Sequence, residues 1–120
     1  MIEEYHFGSI TIDGKTYNYD VEVSWTGEVL KWQRGESHVI DVEDIKRAIA
    51  AKPDTIIIGT GYSGTAKVTE EAKNEMKAKG IEVVIDLTEQ AAKTFNIIEQ
   101  DSEEEEGKQE KVIGLFHLTC

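Results

Sequence analysis

The segment TIIIGTGYSG, residues 55–64, decides the fold of this chain. Its first part, residues 55–58, is a run of β-branched side chains without a charge, which is typical of a strand covered on both faces. Three glycines follow at once, so the strand ends in a tight connection. A strand buried on both faces needs a packed layer on each side of its sheet, and the segment therefore predicts an α/β domain.

Helix and strand patterns alternate on both sides of this segment. Residues 41–51 are predicted to be helical, because Asp41 is a good N-cap and apolar residues then recur at helical spacing until Pro53. The remaining predicted elements are helices over residues 69–79 and 88–99, each beginning at a threonine cap, and strands over residues 81–85 and 111–118. The last strand has apolar residues on both faces, which predicts a central position in the sheet.

The N-terminal third reads as a β-meander. Residues 7–12 and 15–23 predict a hairpin around Asp13-Gly14, a dipeptide favoured in tight turns that need positive φ. A short strand over residues 29–32 and a loop over residues 33–38 follow. Strands connected through helices are expected to run parallel with right-handed crossovers.

Composition excludes several classes of function. The 120 residues fit one domain, residues 1–120, and the net charge of −11, from 24 acidic and 13 basic residues, argues against a nucleic-acid or anionic-membrane partner. No apolar run approaches the ~20 residues of a membrane span, and residues 1–5 lack the apolar core of a secretion signal. The only cysteine is Cys120, so no internal disulfide forms. We expect a cytoplasmic protein with a solvated acidic loop at about residues 101–107.

The glycine run has two interpretations. Gly59, Gly61 and Gly64 match the G-x-G-x-x-G pattern that holds a dinucleotide pyrophosphate, and Asp86 stands where the ribose-binding acid would be expected. However, the next helix cap is Thr69, several residues beyond the run, and the chain is short for such a fold. We therefore favour a tight connection with positive-φ positions.

Other residues of chemical interest lie near the two loops and the C-terminus. His117 and Cys120 could form a nucleophile–base pair, but their spacing of three places them on opposite faces of a continuing strand, so a hydrogen-bonded core histidine is favoured. Trp32, Arg34 and His38 fit either a binding loop or ordinary packing. No spacing of His and Cys predicts a metal site.

Three stretches together resemble the Mth-type domain family of unknown function. They are IIGTG at residues 57–61, GIEV at residues 80–83 followed by TEQAA at residues 88–92, and GLFHLTC at residues 114–120. The family includes the adipogenesis-associated domain protein of animals and, more distantly, the mitochondrial complex I assembly factor of the NDUFAF type. The resemblance spans almost the whole chain.

The resemblance implies a three-layer α/β/α sandwich with a central mixed sheet whose last strand runs antiparallel. It also implies assembly or regulatory roles through protein partners, with no established enzymatic activity and no dinucleotide. The acidic insertion at residues 101–107 departs from the family pattern, and the chain shows no mitochondrial leader, so a complex I role does not carry over.

These considerations give two hypotheses for function. The first is a non-enzymatic protein-binding, assembly or regulatory domain without a cofactor. The second is a small-molecule binding protein or enzyme that holds a phosphometabolite or nucleotide at residues 59–64. The candidate binding surface consists of Trp32, Arg34, His38, Gly59, Thr60, Gly61, Thr88 and Gln90. We expect a monomer or a weak homodimer formed through the edge of the hairpin.

Overall fold

The structure, a computed structural model, contains ten strands and three helices in the part of the chain that it describes, residues 1–35, 38–104 and 110–120. In chain order the elements are β1 (Ile2–His6), β2 (Ser9–Ile12), β3 (Lys15–Tyr17), β4 (Val21–Ser24), β5 (Val29–Lys31), β6 (Val39–Ile40), α1 (Val42–Ala50), β7 (Thr55–Thr60), β8 (Lys67–Val68), α2 (Glu70–Ala78), β9 (Glu82–Asp86), α3 (Thr88–Glu104) and β10 (Val112–His117).

A five-stranded sheet in the order β5-β4-β10-β7-β9 forms the centre of the molecule. Strand β10 is its middle strand, and all six of its residues are buried. It is parallel to β7, which places His117 opposite Thr60, and antiparallel to β4, which places Phe116 opposite Val21. The mixed sheet and the central last strand are thus confirmed. The antiparallel relation of β10 is to β4, whereas the helix-connected strands β7, β9 and β10 all run parallel.

Both faces of this sheet are covered, as the run at residues 55–58 predicts. Helices α1 and α2 cover one face, where Ile45 and Met76 pack with Ile56 and Ile58. Helix α3 and a second sheet of order β1-β2-β3 cover the other face, where Phe95 and the meander isoleucines pack with Ile57. The three-layer arrangement is therefore confirmed.

The helix caps follow the sequence signals at α1 and α2. The Asp41 side chain accepts a hydrogen bond from the Val42 N–H at 2.8 Å, while Asp44 accepts one from the Asp41 N–H at 2.8 Å, which is a capping box. The Thr69 hydroxyl accepts from the Ala72 N–H at 3.1 Å and begins α2. These local bonds satisfy N–H groups that the first helical turn leaves without partners.

Three predicted elements are wrong in their extent. The predicted strand over residues 7–12 begins only at Ser9, because residues 7 and 8 form the turn that joins it to β1. The predicted strand over residues 15–23 is interrupted between Tyr17 and Val21, and its two halves belong to different sheets, because the Asp20 carboxylate turns inward to bind β10. The acidic loop predicted at residues 101–107 is helical over residues 101–104, the end of α3. Residues 105–107 lie outside the described part of the chain.

Candidate functional site

The carboxyl ends of β7 and β10 lie side by side, and the predicted site residues gather around them. Thr60 ends β7 directly opposite His117, which ends β10. The glycine run continues from β7, while residues 118–120 continue from β10. The carboxyl edge of parallel strands is where α/β proteins usually bind ligands. We call this region the carboxyl edge, defined by residues 59–64 and 117–120.

The glycines of this edge leave space that other residues of the same chain occupy. A Cβ on Gly59 would lie 2.7 Å from Thr88 Oγ1. Gly61 has φ +106°, and a Cβ there would lie 2.5 Å from the Cys120 carbonyl oxygen. The loop N–H groups are also used, since Gly61 donates to Thr88 Oγ1 at 2.9 Å and Tyr62 donates to the Thr119 carbonyl at 2.7 Å. A pyrophosphate would need those N–H groups, so the geometry favours a tight connection over a dinucleotide site.

Thr88 has a different role from the helix cap that its position predicts. Its hydroxyl donates to the His117 carbonyl at 2.6 Å and accepts from the Gly61 N–H, with the residue fully buried. One hydroxyl therefore joins β10, the loop after β7 and the start of α3. At this helix start the Asp86 carboxylate accepts the Leu87 N–H at 2.8 Å.

Replacing Thr88 with valine tests this junction. Valine keeps the shape of threonine but leaves the Gly61 N–H and the His117 carbonyl without their partner, so we expect the free energy of unfolding to fall by about 1–3 kcal/mol. Urea denaturation measures the change. Thr16→Val is the matched control, because its hydroxyl pairs with Thr11 at the surface, and it should stay within about 0.5 kcal/mol of wild type. Equal losses in the two variants would contradict a structural role for the Thr88 hydroxyl.

Beside this junction lies a buried ionic cluster of Asp20, Arg34 and His117. Asp20 Oδ2 lies 3.0 Å from Arg34 Nη2 and 2.7 Å from His117 Nδ1, and Oδ1 accepts the Leu118 N–H at 2.9 Å. The exposed fractions of the Arg34 and His117 side chains are 4% and 3%. His117 Nδ1 lies 2.7 Å from Asp20 Oδ2 and also 2.7 Å from Arg34 Nη2, while its Nε2 faces Thr119 Oγ1 at 3.5 Å. The cluster holds the ends of β10 and of the Trp32–Arg34 segment together.

The charge of Asp20 is set by competing effects. Burial by itself would raise the pKa of Asp20, but hydrogen bonds from His117 and the Leu118 N–H, together with the His117 charge and the Arg34 hydrogen bond, outweigh it and lower the pKa. The carboxylate therefore stays ionised in the folded protein at neutral pH. Removing it would leave the Arg34 guanidinium buried without this counter-ion.

Because the pKa of Asp20 is lowered on folding, part of the free energy of unfolding depends on pH. The contribution is fully present above the unfolded pKa of about 3.9 and is lost as the pH falls through the lower folded pKa. Urea titrations of wild type and Asp20→Asn should therefore show a constant difference in free energy between pH 5 and 7 and a smaller one below about pH 4. A difference that grew in acid would contradict this assignment.

The remaining predicted residues fall into supporting and exposed positions. Trp32 is buried, donates from Nε1 to the Asp44 carbonyl at 2.8 Å, and carries the Arg34 guanidinium 5.0 Å from its ring centre, which favours the packing interpretation. Gln90 is exposed in the first turn of α3. His38 is exposed, and its Nε2 lies 3.5 Å from Cys120 Sγ.

The structure separates His117 from Cys120. His117 is a buried histidine bound to Asp20, in keeping with the favoured interpretation, while the imidazole beside the thiol belongs to His38. Among the described residues, no group of three His, Cys, Asp or Glu side chains could hold a metal ion.

Sequence reasoning missed an exposed aromatic pair at the carboxyl edge. Phe7 and Tyr62 are 60% and 59% exposed, and their rings meet edge to face with centroids 5.9 Å apart. Each is held by the segment after β10: the Gly8 N–H donates to the Leu118 carbonyl at 2.9 Å, and the Tyr62 N–H donates to the next carbonyl. We call Phe7 and Tyr62 the aromatic pair. Their separation in sequence leaves no local signal for it.

A groove opens next to the glycine run, at the carboxyl ends of β7 and β9. Its volume is about 430 Å³, which is within the size range of ligand sites. Its lining includes Thr60, Ser63, Lys67, Lys73, Ile85 and Leu87. It therefore combines two ammonium groups, hydroxyls and the Asp86 carboxylate with an apolar wall, and the Lys73 ammonium also lies 3.4 Å from Glu70 Oε1.

The fold and this edge define a three-layer α/β protein in which residues 119 and 120 of the same chain fill the space beside the glycine run. The chain belongs to the DUF498/DUF598 family of proteins of unknown function, whose sequence pattern matches residues 2–113. The predicted resemblance to Mth-type domains is confirmed.

Solved structures of similar proteins agree with this assignment. The conserved hypothetical protein PH1505 of Pyrococcus horikoshii is 26% identical with a TM-score of 0.81, over 100% of this chain and 99% of its own. The protein MT938 is also 26% identical, with a TM-score of 0.79 over 100% and 98%. A Mth938-like domain protein of Bordetella pertussis, at 17% identity, has a TM-score of 0.75 over 98% and 85% and shares the fold.

No helix in the described part of the chain is long and apolar enough to cross a membrane.

Proposed function

We propose that this protein is a non-enzymatic protein-binding domain, of the assembly or regulatory kind, that contacts its partner with the carboxyl edge. The aromatic pair is the observation that carries the proposal. Tyrosine and other aromatic side chains supply much of the binding energy at protein interfaces. The two rings, 60% and 59% exposed, contact each other and so present one continuous apolar surface rather than two isolated side chains.

The way the aromatic pair is held supports this role. Both turns are hydrogen-bonded to consecutive carbonyls after β10, and the Thr88 hydroxyl holds the loop that carries Tyr62. Rings on a rigid support lose less conformational entropy on binding than rings on a free loop. In this proposal Gly59, Gly61 and Thr88 position the surface, while Tyr62 and Phe7 make the contact.

The charge of the chain indicates the chemistry of the partner. At a net charge of −11, a partner with an apolar patch rimmed by Lys and Arg would be attracted and correctly oriented. His38, Cys120 and Gln90 are exposed around the same region and would belong to the polar rim. Trp32 and Arg34 would not touch the partner but would support this surface through the buried cluster of Asp20, Arg34 and His117.

The test compares partner capture by two variants. Immobilised wild-type protein is exposed to an extract of its own cells, alongside the double variant Phe7→Ser and Tyr62→Ser and the control Ile97→Ser. Ile97 is 58% exposed on α3, so the control removes a similar apolar surface elsewhere. We expect the double variant alone to lose the captured protein. Equal capture by the double variant, or no specific capture by wild type, would refute the proposal.

The groove beside the glycine run favours a second candidate, a small-molecule binding protein or enzyme. Lys67 and Lys73 would face an anionic group such as a phosphate, and Ile85 and Leu87 an apolar one. A thermal-shift screen with nucleotides and phosphorylated metabolites tests it. A ligand at 100 times its Kd adds about 2.7 kcal/mol, which is several degrees for a domain of this size. A hit that survives Lys67→Glu with Lys73→Glu would place the ligand elsewhere.

A further inference from the structure

Strand β9 is an open edge of the central sheet. It pairs with β7 on one side, and no strand of the described chain pairs with its other side. Its middle residues are apolar and accessible: Val83 and Val84 are partly exposed, and Ile85 is 40% exposed. An edge of this kind presents unpaired N–H and C=O groups that can pair with another extended chain.

Charges stand at both ends of this edge. Glu82 and Asp86 bracket the three apolar residues, and both are exposed. The Asp86 side chain also holds the Leu87 N–H, so its position is defined by the start of α3. Any chain that pairs along the whole of β9 must therefore place a residue opposite each of two carboxylates.

A second copy of this protein fits the edge poorly. Two β9 strands related by a two-fold axis run antiparallel. Because residues that lie opposite each other must point their side chains to the same face of the sheet, only registers in which one residue lies opposite its own copy are possible. The register that pairs all five residues is centred on Val84 and sets Glu82 opposite Asp86 twice. Like charges directly opposite each other are destabilising. Shifting the register by two residues leaves only three residues of β9 paired.

We infer that β9 accepts an extended segment of a partner protein as a sixth strand, and that this segment carries Lys or Arg opposite Glu82 and Asp86 around an apolar centre. Main-chain hydrogen bonds then supply affinity, and the two charge pairs supply specificity. The inference rests on the proposed protein-binding function and deepens it by naming the chemistry of the partner. Leu87, which is exposed and approaches Gly64, connects this edge with the loop that carries Tyr62.

Two synthetic peptides test the inference on the full chain. One is Lys-Val-Val-Val-Lys and the other Glu-Val-Val-Val-Glu, each with blocked ends. Amide chemical shifts give the Kd and the location of binding. We expect the lysine peptide to bind wild type about tenfold more tightly than the glutamate peptide, with the shifts centred on residues 82–86. Raising the salt concentration should reduce this preference.

Charge reversal supplies the matched control. Glu82→Lys should abolish or reverse the preference between the peptides, whereas Glu28→Lys, which makes the same change of net charge on the exposed turn before β5, should leave it unchanged. Equal binding of the two peptides, no binding of the lysine peptide at 1 mM or less (about the weakest useful affinity), or shifts outside β9 would overturn the inference. So would a dimer in sedimentation with β9 amides protected, which would assign the edge to a second copy.

The protein-binding proposal and the strand-addition inference can be refuted independently of each other. If the double variant of the aromatic pair loses its captured partner while both peptides fail at β9, the protein-binding function stands and the strand-addition inference falls. If the lysine peptide binds at β9 but the aromatic pair has no effect on capture, the β9 edge is an interaction surface in its own right and the carboxyl edge is not.

Discussion

Replacing Asp20 with asparagine is expected to lower the free energy of unfolding by about 3 kcal/mol, because it removes a negative partner of a buried guanidinium. Arg34 is almost completely buried and lies 3.0 Å from the Asp20 carboxylate. Asparagine keeps the shape and can still accept the Leu118 N–H, so the loss reports the charge rather than a cavity. The expected value is at the lower end of the range for broken buried pairs, since Asp20 itself remains 19% exposed.

Asp13→Asn is the matched control for this prediction. Asp13 also forms an ion pair, with the Met1 amino group at 2.6 Å, but both partners are exposed. Surface pairs contribute little, so we expect a change of no more than about 1 kcal/mol. Asparagine also tolerates the φ of +50° found at this position. Urea denaturation at pH 7 measures both variants, and similar small losses in the two would show that the buried cluster carries no special stability.

Gly61→Ala is expected to have the second large effect, a loss of about 2–4 kcal/mol. A non-glycine residue in this backbone conformation is strained by about 1–3 kcal/mol. In addition, the new Cβ would meet backbone atoms of Thr119 and Cys120 at 2.5–2.7 Å, and backbone cannot move aside as a flexible side chain can. The segment after β10 would have to shift, which would weaken its hydrogen bond with Tyr62.

Gly14→Ala separates the two parts of this effect. Gly14 also has a positive φ, +83°, but a Cβ there would meet nothing within 4 Å. It should therefore lose only the free energy of backbone strain. The difference in the free energy of unfolding between the two variants then measures the steric clash of the new Cβ with residues 119 and 120. Hydrogen exchange at the Tyr62 amide gives an independent readout, since only Gly61→Ala should accelerate it. Equal destabilisation by the two substitutions would mean that residues 119–120 adapt freely.

Local chemistry made much of this fold predictable. Asp41 and Thr69 cap their helices with side-chain oxygens that reach N–H groups one to three residues ahead, so the signal and its effect lie within one turn. The same holds for the run at residues 55–58, whose lack of charge reflects burial on both faces. Patterns of this kind are visible in sequence because each residue's environment is set by its near neighbours.

The candidate site could be predicted only in part, because its contacts join distant segments. Asp20 meets His117 across 97 residues, and nothing in the alternation around Asp20 distinguishes an inward carboxylate from a solvated one. The glycine run is visible in the sequence. No local pattern indicates that Thr88 and residues 119–120 fill the space beside it. Phe7 and Tyr62 meet only because both of their turns bind the segment after β10.

The central position of β10 has a consequence for how the chain folds during synthesis. Strands β4 and β7 are translated long before the strand that lies between them, so each has an open edge until β10 has left the ribosome. The pairing of β4 with β10 also closes a loop that spans most of the sequence, which makes folding slow relative to a chain of local contacts. We therefore expect the nascent protein to expose apolar strand edges until β10 pairs with β4 and β7, and exposed edges of this kind favour aggregation.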